Sequence, residues 1–119
     1  MKIEHIAIWS RDVERLKTFY VRYFGGIAGE KYFNPRKDFQ SYFLTFEEGC
    51  RLELMQMTGI GESSSHPHAQ DIGLAHFAVS VGSKSAVDLL TERLRKDGLQ
   101  GNNLPKVLIS NVSNTSESS

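Results

Sequence analysis

A short phrase occurs twice in this chain. Residues 3–8 read Ile-Glu-His-Ile-Ala-Ile, and residues 74–79 read Leu-Ala-His-Phe-Ala-Val, beginning 71 positions later. Each has His in the third place and Ala in the fifth, and each leads into apolar residues at helical spacing. Solenoid repeats have periods of roughly 20–50 residues, so this offset fits a duplicated half-domain instead. Two copies of one strand–helix unit would relate their histidines by a pseudo-twofold, facing each other across a shared cavity.

Alternation and punctuation extend the reading. Ile3, His5, Ala7 and Trp9 share one strand face, and Glu4, Ile6 and Ile8 the other. Asp12 is the expected N-cap of a helix carrying Val13, Leu16, Phe19, Tyr20, Tyr23 and Phe24, which Gly25 and Gly26 stop. A strand is expected near 27–33, a turn at 34–38, a strand at 39–46, a turn at 47–49 and an alternating strand at 51–57. The first copy is thus strand, helix, strand, strand, strand. Residues 58–73, rich in Gly, Ser and His, read as a linker. The second copy has a strand at 74–81 and a helix near 84–97, with Ser83 as cap and Gly98 at its stop. Residues 104–109 make a short strand, which Pro105 restricts to an edge. Residues 110–119 carry little apolar surface and are expected to be disordered.

Parity places His5 beside Ala7 and Trp9, and His76 beside Leu74, Ala78 and Ser80. The bulky aliphatic face of each strand should pack under its helix, leaving the histidine face toward a cavity. Helices on one side of a sheet give an α+β architecture. Glu53, between Leu52 and Leu54, is a carboxylate on an otherwise apolar strand, and such a group needs a partner. Two imidazoles and a carboxylate would suit a divalent transition metal: Zn, Ni, Co, Mn or Fe(II). His66 and His68 lie in the Ser-rich linker and read as surface residues. Phe19, Tyr20, Tyr23 and Phe24 read as core. No cofactor-binding motif other than this ligand set is present.

These residues resemble the vicinal oxygen chelate superfamily, which includes glyoxalase I, extradiol dioxygenases, fosfomycin-resistance transferases and bleomycin-resistance proteins. The marks are the opening phrase around His5, Phe19-Tyr20 followed by Phe24-Gly25, Leu52-Glu53-Leu54, and the second phrase around His76. The resemblance covers residues 2–98. It implies paired βαβββ modules around a metal: 1–57 as the first module, 58–73 as linker, 74–109 as an incomplete second module and 110–119 as tail. His5, Glu53 and His76 match three of four ligand positions of glyoxalase I-like members, with Glu53 also the candidate catalytic base. The implied activity is that of a lyase or isomerase stabilising an enediolate at the metal. The fourth ligand, a Glu on the last strand of the second module, has no counterpart: the same offset from Glu53 reaches past Ser119, and Glu117 lies among serines. Weak or absent lactoylglutathione lyase activity is therefore expected. The alternatives are a metal-free sequestering protein of bleomycin-resistance type and an Fe(II) extradiol-type dioxygenase.

Bulk composition narrows the partners. Lys plus Arg and Asp plus Glu each number 14, so no net field draws the chain to nucleic acid or an anionic membrane. No apolar run approaches the roughly 20 residues of a membrane span. One cysteine, Cys50, and no signal-peptide pattern fit the cytoplasm. The expected partners are a small-molecule substrate and a second copy of the chain, since an incomplete second module would leave a sheet edge uncovered, with module exchange as one route to the dimer.

Overall fold

The computed structural model describes residues 1–60, 77–100 and 108–110. The chain packs as two compact units, Met1–Ser63 and Ser64–Ser119. Most of the expected linker, the second phrase through His76, the histidines at 66 and 68, and the tail beyond Ser110 lie outside the described residues.

In the first unit the elements are β1 (His5–Trp9), α1 (Val13–Phe24), β2 (Ile27–Ala28), β3 (Tyr32–Asn34), β4 (Phe39–Thr45) and β5 (Arg51–Met57). The helix begins where the sequence places its cap. The Asp12 carboxylate accepts the Arg15 N–H at 3.1 Å, satisfying a donor that the first helical turn leaves open. It ends at Gly25, whose φ of 69° lies in the left-handed region that side-chain-bearing residues avoid. A Cβ at Gly26 would stand 3.1 Å from the Phe46 ring, closer than ordinary contact, so this glycine lets the ring pack tightly against the chain.

The sheet order is β1-β5-β4-β2, with β3 also pairing β4. β4 and β5 form an antiparallel hairpin, while β1 runs parallel to β5, with Ala7 opposite Glu53 and His5 opposite Arg51. A parallel pair cannot be joined by a tight turn, and here the helix and the strands β2 to β4 make up the connection between β1 and β5. The expected strand at 27–33 is two pieces. Ala28 pairs Leu44 and Tyr32 pairs Ser41, so four steps on one strand face three on the other. Gly29 keeps the register, its N–H donating to the Phe43 carbonyl at 3.0 Å, so the extra residue lies between Gly29 and Tyr32.

Helix α1 covers one face of this sheet. Val13, Phe19, Tyr20 and Tyr23 from the helix and Tyr42, Leu44, Leu52 and Leu54 from the strands are buried there. Two polar contacts pin the helix start to the sheet: the Val13 N–H donates to Gln56 Oε1 at 2.8 Å, and the Tyr42 hydroxyl donates to the Glu14 carboxylate at 2.8 Å. Ile6 and Ile8 are half-buried on the helix side, while His5, Ala7 and Trp9 are exposed on the other, as strand parity requires.

In the second unit the described elements are β6 (Ala78–Ser80), α2 (Lys84–Lys96) and β7 (Leu108–Ser110). Ser83 caps α2 by accepting the Ala86 N–H at 3.1 Å. β7 runs parallel to β6, with Ala78 opposite Leu108. The first parallel partner of β1 comes after a helix and three further strands; among the described residues that of β6 follows the helix directly. The architecture is α+β. No helix among the described residues is long and apolar enough to cross a membrane.

Candidate metal site

The open face of the first sheet carries rows of side chains set by the register. His5 and Arg51 form one row, Ala7, Glu53 and Phe43 the next, and Trp9, Met55, Ser41 and Tyr32 the third. Adjacent rows lie about 7 Å apart, two residues along a strand. His5 and Glu53 are diagonal neighbours, close enough for their side chains to meet.

They do meet. His5 Nε2 lies 3.7 Å from Glu53 Oε1, with the histidine side chain 39% and the glutamate side chain 16% exposed. That separation exceeds a hydrogen bond, which spans about 2.7–3.2 Å. Two donors on one tetrahedral ion, each at about 2.0–2.2 Å, would stand roughly 3.4 Å apart. The imidazole nitrogen and carboxylate oxygen therefore converge at near-ligand spacing, and this donor set fits a borderline divalent cation. Among the described residues, no group of three or more His, Cys, Asp or Glu could hold an ion, so the pair is the described part of the expected set. His76 lies outside the described residues.

Three neighbours were not singled out from sequence. The Phe43 ring meets the His5 ring edge-on, with centroids 5.2 Å apart, and Arg51 stacks over its face at 4.1 Å. Glu4 precedes β1, so the strand pleat does not dictate its direction, and its carboxylate reaches the histidine side. It lies 3.0 Å from His5 Nδ1 and accepts from Arg51 Nε at 2.8 Å, and a second guanidinium nitrogen also reaches it. The Arg51 hydrogen bonds, and then the His5 contact, push the Glu4 carboxyl down to about 2. The sequence signal for this cluster was the pair of charges at positions 4 and 51, but it becomes readable only once β1 is known to lie beside β5.

The described strands of the second unit have a parallel register of the same kind. Ala7 is two residues beyond His5 and faces Glu53; Ala78 is two beyond His76 and faces Leu108. Among the described residues, the register position matching Glu53 is thus Leu108, whose side chain has no donor atom.

The sequence profile of one family matches residues 2–107. The chain belongs to the Glyoxalase/Bleomycin resistance protein/Dioxygenase superfamily. Solved structures of this superfamily share its fold. Glyoxalase I of Leishmania major, described as trypanothione-dependent, is 22% identical with a TM-score of 0.64, over 83% of this chain and 68% of that one. A glyoxalase family protein of Enterococcus faecalis is 24% identical with a TM-score of 0.66, over 83% and 74%. A mutant of the fosfomycin resistance protein FosX of Listeria monocytogenes, in complex with Mn(II) and a dihydroxypropylphosphonic acid, is 15% identical with a TM-score of 0.66, over 94% and 93%. Among curated proteins, none is significantly similar in sequence.

Proposed function

We propose that this superfamily member is a glyoxalase I-like, metal-dependent protein acting on a small molecule, with His5, Glu53 and His76 holding a divalent ion. The observation that carries the reading is the 3.7 Å approach of His5 Nε2 to Glu53 Oε1 on the open sheet face. The ion would supply Lewis-acid stabilisation of negative charge on adjacent substrate oxygens. His5 and Glu53 would fix its position from neighbouring strands. Glu53 would also take a proton; its half-buried position on β5 opposite Phe43 supports that role. With Leu108 at the register position equivalent to Glu53, the set lacks the second carboxylate that glyoxalase I-like chemistry shares between modules, so lyase turnover should be weak. The setting is the cytoplasm, and the working form a homodimer.

A second reading has its own support. Trp9, 46% exposed, contacts Phe39 edge-on with centroids 6.2 Å apart, and Phe39 contacts Tyr32 at 5.9 Å. This aromatic strip shares the sheet face with His5 and would suit a flat ligand held without chemistry, in the manner of bleomycin-resistance proteins.

The readings part on one experiment. Calorimetric titration of chelator-treated protein with Zn(II), Ni(II), Co(II) and Mn(II) should show one site per chain, lost in His5→Ala. No binding by the wild type, together with quenching of Trp9 fluorescence by an aromatic ligand, would replace the metalloprotein reading with sequestration.

A further inference from the structure

We propose that Glu4 and Arg51 are positioning residues that fix the tautomer of His5. A neutral imidazole carries a proton on one nitrogen and a lone pair on the other, and the hydrogen bond made by one nitrogen decides the state of both. His5 presents Nδ1 to the Glu4 carboxylate at 3.0 Å and Nε2 toward Glu53 at 3.7 Å. A carboxylate accepts, so with Glu4 Oε1 at hydrogen-bond distance the proton belongs on Nδ1 and the lone pair on Nε2, aimed at the Glu53 side. That is the tautomer a ligating histidine needs, and a carboxylate behind the ring is the usual device for holding it.

Glu4 is exposed and next to His5 in sequence, so alone it would be a loose support. Arg51 removes the looseness. Its guanidinium grips the Glu4 carboxylate through two nitrogens and stacks on Phe43, the ring that also contacts His5. The planar fork suits this double duty, which an ammonium could not perform. The backbone adds to the clamp, since the Arg51 N–H donates to the Glu4 carbonyl at 3.0 Å. Arg51 therefore acts through Glu4, and Glu4 through His5, without either touching an ion.

This inference rests on the metal reading for its purpose but not for its test. The readout is the long-range proton–nitrogen NMR spectrum of the full chain, nitrogen-labelled, in alkaline buffer above the ordinary imidazole range, with His5→Gln assigning the signals. The wild type should show the proton on Nδ1. Glu4→Ala should shift the proton toward Nε2, whereas Glu4→Gln should keep it on Nδ1, because the amide oxygen still accepts. Arg51→Ala should fall between wild type and Glu4→Ala. Zn(II) affinity should fall about 10–100-fold in Glu4→Ala, the range for loss of such a support. A wild-type proton on Nε2, or a Glu4→Ala spectrum like that of the wild type, would overturn the proposal. Protein that binds no Zn(II) yet shows the tautomer shift would sink the metal reading and leave the clamp standing.

Discussion

The two units carry helices of equal legibility and unequal support. Both α1 and α2 are amphipathic, both begin at a side-chain cap, and both precede a glycine with positive φ. Yet α1 buries Val13, Phe19, Tyr20 and Tyr23, whereas α2 buries Leu94 alone and leaves Leu89 73% exposed among the described residues. The helices are alike, and among the described residues the strands beside them are not. α1 lies on a five-stranded sheet, while the described strands beside α2 are two, of three residues each. An apolar helical stripe states which face should be covered, but burial depends on how much sheet the rest of the chain provides.

The strongest way to break this contrast is to cut into the first core. Leu54→Ala removes a fully buried side chain and should cost about 2–5 kcal/mol in urea unfolding followed by Trp9 fluorescence. A loss below about 1 kcal/mol would show that the first unit is no better packed than the second. Alkaline pH should separate the units next, since all four tyrosines lie in the first. Burial pushes the Tyr20 hydroxyl up to about 12 from 10. The folded state thus keeps the neutral form while the unfolded chain ionises, so its contribution is complete below pH 10 and lost as pH rises toward 12. Tyr20→Phe should flatten the alkaline decline measured by thermal melts, and an unchanged profile would remove Tyr20 from the account.

Smaller effects sharpen the comparison. Asp12→Ala should cost about 0.5–2 kcal/mol through the lost cap. Ser83→Ala should change helix content near α2 without altering the unfolding midpoint of the first unit, read from Trp9; coincident shifts would mean the units unfold as one. The smallest effect is expected at Leu89→Ala, where an exposed side chain should change stability by less than about 0.5 kcal/mol.

Local physics made much of this readable in advance. Parity put Ile6, Ile8, Leu52 and Leu54 on the helix side and His5 and Glu53 together on the other. Asp12, Gly25 and Ser83 marked helix ends because capping depends on residues a few positions apart. What sequence could not supply was non-local pairing. That Ala7 faces Glu53, that Arg51 therefore stands beside Glu4 and His5, and that Leu108 occupies the matching position beside Ala78 all follow from parallel register, which no local pattern encodes. The extra residue between Gly29 and Tyr32 escaped for the same reason, being a mismatch between two strands and not a feature of one.

If His5 and Glu53 hold one ion, as proposed, a double-mutant cycle in Co(II) affinity will show it. His5→Ala and Glu53→Gln should each abolish most of the binding, and combining them should add little beyond either alone, because both remove the same site. Wild-type affinity retained in both single variants, or losses that simply add, would contradict the account.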